Sequence, residues 1–219
     1  MTSLRKIALG ALFALGTSVS ANAALLNTTV TIEIYQGNGG GLITSPGVQA
    51  VNTNPLIAPG TLLDTITYTG DINFFLPGGG TNTIGAFLAS AGGSSVGLDA
   101  TVAALQLSAG GFLNTTVLRI LGVAASAFSG DIEHDDGIGL YQGATLVTAV
   151  ASTEPTSPIS TPSALSAGAY ELIYVAANNL PEQLTWNVDV TVPEPATLAL
   201  FGAGLLGLAM VRRRGRNAV

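Results

Sequence analysis

A chain of 219 residues with no cysteine is long enough to bury a core of its own and excludes both a disulfide framework and a thiolate metal site. Its 13 acidic residues outnumber 7 basic ones, for a formal charge of −6. All the acids lie between Glu33 and Glu194, where Arg119 is the one base, so the body repels phosphate backbones and nucleic-acid binding is excluded.

The remaining basic residues sit at the two ends. At the start, "MTSLRKIALGALFALGTSVSANA" places Arg5 and Lys6 before an apolar run from Ile7 to Gly16, and then small residues ending in Ala21-Asn22-Ala23. This is the order of a secretory signal peptide over residues 1–23, with Ala21 and Ala23 setting the cleavage site. The apolar run is too short for a first transmembrane helix.

Residues 24–192 form the exported body, rich in Thr, Val, Ile, Gly and Asn and free of Lys and Met. Alternating runs predict strands over 28–36, 61–75, 115–124, 127–134, 138–150, 169–177 and 183–192. Between them lie turn-forming stretches such as "GNGGG", "NTNPLIAPG" and "LPGGGTN". "GAFLASAGG" and "LDATVAALQL" each have room for a helical turn, and "EPTSPISTPS" (154–163) reads as a long surface loop. Many short strands with Gly/Pro turns predict a mainly β fold: a single β-sandwich, jelly-roll-like in kind. Asn27 and Asn114 begin N-x-T sequons, but a Thr- and Asn-rich β protein supplies these by chance and no glycan is assigned.

One internal stretch stands out, "SGDIEHDDGIGLYQG". On a strand, Asp131, Glu133 and Asp135 share one face, while Ile132 and His134 share the other. Asp135-Asp136-Gly137 then makes the turn, with Gly137 free to take a positive φ. Four carboxylates this close repel unless they are exposed or neutralised by a cation, and a hard, oxygen-ligated ion such as calcium suits them. Two readings stand: a solvated hairpin, or a calcium site. The spacing is not that of an EF-hand.

Enzymatic readings are poorly supplied. His134 is the only histidine, it reads as a surface residue beside acids, and no G-x-S-x-G elbow accompanies it. A glycosidase needs two carboxylates, yet here they crowd one turn. Only Trp186 and five tyrosines are on hand as a sugar platform. The expectation is therefore a non-enzyme, with an envelope-associated carbohydrate-active enzyme as the alternative.

At the far end, Ala196 to Val211 carries no charge and runs directly into Arg212-Arg213-Arg214. Such a helix reaches about 24 Å, a little short of a bilayer core of roughly 30 Å. The arginines would hold it by the positive-inside rule, as a stop-transfer anchor over 196–211. Gly202, Gly204 and Gly207 spell G-x-G-x-x-G, but inside an apolar helix they cannot form the strand–helix loop that cradles phosphate.

This ending resembles the PEP-CTERM sorting signal over residues 193–219, with Pro193-Glu194-Pro195 as the tripeptide, followed by the helix and the basic tail. The resemblance implies recognition by an exosortase. It also implies a membrane-anchored precursor in a Gram-negative-type envelope, and a product on the cell surface or in an exopolysaccharide matrix. Further in, "HDDGIGLY", then "LSAGAYELIYVAANNLPEQLTW", is similar to the protective-antigen-type β-sandwich module. The matching features are Asp135-Asp136-Gly137, Leu140-Tyr141, Leu165 to Tyr170, and Trp186. In sugar-binding members the paired aspartates hold calcium through a cis peptide and the ion ligates sugar hydroxyls. The resemblance implies Asp135 and Asp136 as ligands, completed by Asn178 or Asn179, with an exopolysaccharide or surface glycan as partner.

Overall fold

The computed structural model describes residues 23–25, 27–147 and 158–189, within a compact unit spanning Ala23–Val190. Ala21, the Pro193-Glu194-Pro195 motif, the predicted 196–211 helix and Arg212-Arg213-Arg214 lie outside the described residues. Among those described, no helix is long and apolar enough to cross a membrane.

The predicted β character is found. In chain order the strands are β1 (Ala23–Leu25), β2 (Asn27–Gly37), β3 (Leu62–Asp71), β4 (Asn73–Leu76), β5 (Ser94–Val96) and β6 (Thr115–Ala124), then β7 (Phe128–His134), β8 (Gly137–Gln142), β9 (Thr145–Leu146), β10 (Ile159–Leu165), β11 (Gly168–Ala176) and β12 (Glu182–Asp189). They form two antiparallel sheets. One runs β5-β3-β2-β6-β11-β8-β9; the other runs β1-β12-β7-β10, with β4 also paired to β12. Period-two alternation explains the sandwich. Ile32, Ile34, Tyr68, Ile120, Leu140 and Tyr174 of the larger sheet share one buried cluster with Phe74, Ile132, Leu165, Leu184, Trp186 and Val188 of the smaller.

Two helical turns appear where the sequence leaves room for them. Helix α1 (Ile84–Ser90) starts at Thr83, whose hydroxyl oxygen accepts from Ala86 N, and buries Ile84, Phe87 and Leu88. Helix α2 (Ala100–Ala104) starts at Asp99, whose carboxylate accepts from Thr101 N and Val102 N. Those caps satisfy amides that have no partner inside the helix.

Three sequence expectations are corrected. The single strand predicted over 61–75 breaks at the buried Ile72, where the chain leaves the larger sheet and enters the smaller; Ile72 O accepts from Trp186 N at 2.8 Å. The predicted 138–150 strand ends at Gln142 and resumes as the two-residue β9, and residues 148–150 lie outside the described residues. Half of the expected surface loop "EPTSPISTPS" is strand: β10 begins at Ile159 and contains Pro162, while residues 154–157 lie outside the described residues. A proline is tolerated there because β10 is an edge strand, paired only to β7.

Part of the larger sheet, around β8 and the end of β11, is buried on both faces. The segment between β2 and β3 folds back over its outside, so that Val48, Ala50 and Leu56 pack on Tyr35, Val117, Ile173 and Val175. A side chain at Gly139 would collide with the carbonyl oxygen of Ala50, which explains a glycine in the middle of β8. Double burial also explains why β11 reads as a continuous apolar run, "LIYVA", instead of an alternating one.

Candidate functional site

Asp131, Ile132, Glu133 and His134 alternate outward and inward along β7 as the sequence predicts. The chain then bends, and two expectations fail. Asp135 is not on the solvated face with Asp131 and Glu133 but only 7% exposed, and Asp136 is only 5% exposed. Asp136 itself, not Gly137, takes the left-handed conformation, at φ 70°, which aspartate tolerates better than most residues. The solvated-hairpin reading is thereby corrected.

His134 is likewise not a surface residue; it is fully buried. Its Nδ1 lies 2.6 Å from the backbone oxygen of Asp136, and its Nε2 lies 2.7 Å from Thr161 Oγ1. A carbonyl can only accept, so Nδ1 carries the proton and Nε2 accepts from the threonine hydroxyl. Burial pushes the imidazole pKa down. With both nitrogens engaged, His134 fixes the bend.

The bend places Asp135 and Asp136 against the loop between β11 and β12. Together with Asn178, Asn179, Phe112 and Ile43 they line an open cavity of about 410 Å³. Asn178 and Asn179 both adopt positive φ, 63° and 79°. Their side-chain oxygens already accept from Gly111 N at 3.0 Å and from Asn82 Nδ2 at 2.9 Å. All four residues predicted for the site thus meet in one place. The aspartates bring charge, while the asparagines hold the wall.

Behind the aspartates lies a third carboxyl. Glu182 is fully buried; its oxygens accept from Ser108 Oγ at 2.6 Å and from Tyr174 Oη at 2.7 Å. Asp136 accepts from Ala177 N at 2.6 Å. Burial, with the negative charge of Asp135 adding to it, raises the Asp136 pKa to about 8. Burial and then the charge of Asp136 raise Glu182 well above the usual carboxylate range, and burial raises Asp135. Among the described residues no base relieves them, because Arg119 is engaged by Glu33 at 3.0 Å and Glu171 at 2.8 Å. Without a cation, protons must neutralise the cluster.

Does this donor set fit calcium? The donors are oxygens, two of them belong to buried carboxylates without a basic partner, and the cavity is open to solvent; all three suit a hard cation. Among the described residues, no three His, Cys, Asp or Glu side chains converge as a metal-holding group. Asp135 and Asp136 would therefore hold the ion with backbone or amide oxygens. The cis peptide implied for the aspartate pair is not found; among the described residues the cis bond is Leu180–Pro181.

Ser108 and Phe112 belong to no motif, and Tyr174 and Glu182, though inside the stretch that carries the resemblance, are not among its matching features. Glu182 nevertheless had a signal: it is in phase with Leu184, Trp186 and Val188, the inward residues of β12. The aromatic residues named as available for a sugar platform are not on the surface. Trp186 and all five tyrosines are buried. Trp186 is held edge-on against Tyr170, ring centroids 5.5 Å apart, with its Nε1 donating to Ser163 Oγ at 3.0 Å.

No curated protein is significantly similar in sequence to this chain. Among solved structures, the PA14 sugar-binding domain from an RTX adhesin aligns with a TM-score of 0.49 at 17% identity, over 73% of this chain and 88% of that one. The PA14 domain of the MpAFP antifreeze protein aligns with a TM-score of 0.44 at 13% identity, over 76% and 85%. Residues 191–214 match the PEP-CTERM protein-sorting motif, so the chain carries the signal of an exported protein that exosortase processes.

Proposed function

We propose that this exported protein ends on the cell surface or in the exopolysaccharide matrix of a Gram-negative-type bacterium, after a stage as a membrane-anchored precursor. There its sandwich binds glycan weakly, through calcium held at Asp135 and Asp136. The observation that carries this reading is the buried Asp135–Asp136 pair, which lines an open cavity and has no basic partner among the described residues. Asn178 and Asn179 complete the site through the oxygen lone pairs that their present hydrogen bonds leave free. When bound, the ion supplies charge neutralisation and open coordination positions for vicinal hydroxyls. The role is binding and not catalysis: Glu182 is sealed behind Ser108 and Tyr174, and His134 has both ring nitrogens engaged.

The test is a glycan array probed with the full chain, in a detergent lacking a sugar headgroup, with millimolar calcium or with chelator. A set of glycans bound only in calcium, and lost from an Asp135→Asn plus Asp136→Asn variant, is the expected result. Equal binding of every glycan with and without calcium contradicts the reading.

A further inference from the structure

The outward face of the smaller sheet carries a different chemistry. Alternate residues of β12 (Gln183, Thr185 and Asn187) point away from the core, beside Asn73 and Phe75 of β4 and Glu133 of β7. The strand register aligns them in rows: Asn73, Thr185 and Glu133 lie side by side, and Phe75 lies beside Gln183. Together with Ser90 they line a groove of about 530 Å³. Its floor spans two strand spacings by four residues, about 10 by 14 Å, the footprint of a short chain and not of a single ion.

The groups in this groove are held in place. Glu133 accepts from Gln183 Nε2 at 3.1 Å and from Asn187 Nδ2 at 3.2 Å, one amide on each carboxylate oxygen. Thr185 Oγ1 donates to Asn73 Oδ1 at 3.0 Å. Each glutamine or asparagine amide has two N–H donors and a carbonyl acceptor, so one engaged N–H leaves a donor and an acceptor facing the groove. Phe75 is 46% exposed and is the only exposed aromatic side chain among the described residues. Among the described residues no cation lines the groove, and its one carboxylate is already satisfied by two amides. A polyanion therefore finds no counter-charge and a polycation finds little. Fixed amides offering paired donors and acceptors, beside an exposed ring, instead complement a molecule that alternates hydroxyls with apolar C–H faces.

We infer that this groove is a second glycan-binding face, which takes a neutral oligosaccharide chain without any metal ion. It needs neither calcium nor the Asp135–Asp136 pair, and it sits on residues that the cavity does not use. Phe75 supplies the stacking surface; Gln183 and Asn187, steadied by Glu133, supply the hydrogen bonds.

The experiment is retardation of the full chain in native gels containing soluble dextran, mannan, galactan or a linear β-glucan, with chelator present throughout. Retardation by at least one of these neutral polymers is expected, unchanged in Asp135→Asn plus Asp136→Asn. It should weaken about tenfold in Phe75→Ala and in Gln183→Ala, whereas Phe75→Trp keeps it. Unfolding midpoints matching the parent establish that both weakened variants are folded. Absence of retardation by all four polymers in chelator overturns the inference. So does retardation that survives both Phe75→Ala and Gln183→Ala. Failure of the calcium site leaves these outcomes unaffected, because every lane lacks calcium.

Discussion

Glu182 shows how one side chain sets the character of the cavity behind which it lies. It accepts the hydroxyls of Ser108 and Tyr174 while facing Asp136. Removing it strands two buried hydroxyls and leaves a hole. Glu182→Ala should therefore cost about 2–4 kcal/mol in denaturant unfolding, and Glu182→Gln clearly less. An unchanged midpoint in the alanine variant would contradict the assigned hydrogen bonds. Glu182 was legible in principle, through its phase with the inward residues of β12. It is hidden because a charged residue after "NNLP" reads as solvated loop until the strand is known to begin there.

At the scale of elements, the strands most legible in sequence are those with one wet face. β2, β3 and β7 alternate, and both ends of β2 and β7 and the start of β3 fall close to the predicted ones. Legibility fails where tertiary context overrides the pattern. The continuous "TLLDTITYTGDINFF" gives no local sign that Ile72 turns the chain from one sheet into the other. A Pro- and Ser-rich stretch reads as loop, yet β10 forms because an edge position needs no N–H from Pro162 on its open side. The buried hydroxyls of Thr161 and Ser163 then tie that edge to His134 and Trp186. Of the candidate site, the four residues were legible from motif and resemblance, but the burial of the two aspartates was not. Burial depends on how closely the β11–β12 loop approaches the β7 bend. The covering segment over the larger sheet can be tested in the same terms. Gly139→Ala pushes a methyl group into the Ala50 carbonyl and should cost about 1–3 kcal/mol by overpacking, read from the denaturation midpoint. No loss would mean that the segment does not sit tightly on β8.

For the whole molecule, the acidic cluster dictates an unusual dependence on pH. The folded Asp136 pKa is raised to about 8, so between its unfolded value and pH 8 the folded state binds more protons than the unfolded one. Stability from this group is complete below the unfolded value, near 4 for an aspartate, and is lost as pH rises through about 8. His134, with its pKa lowered from 6.5, acts oppositely and only below that value. Between pH 6.5 and 8 the carboxyl therefore acts without opposition from the histidine. In chelator, unfolding free energy should fall by roughly 1–2 kcal/mol across that window. A rise would mean that the carboxyls are not buried as described. A bound divalent ion removes the fall, because it replaces the proton as the neutralising charge.

The central claim is that this buried pair binds a divalent cation in place of protons, and thermal unfolding of the full chain at pH 8 tests it most directly. The comparison is millimolar calcium against chelator, for the parent and for Asp135→Asn plus Asp136→Asn. A site filled at about a hundred times its dissociation constant adds about 2.7 kcal/mol, which for a chain of this size raises the midpoint by about 5–10 °C. The account predicts that rise in the parent and none in the double variant. Identical midpoints for the parent in calcium and in chelator would contradict it.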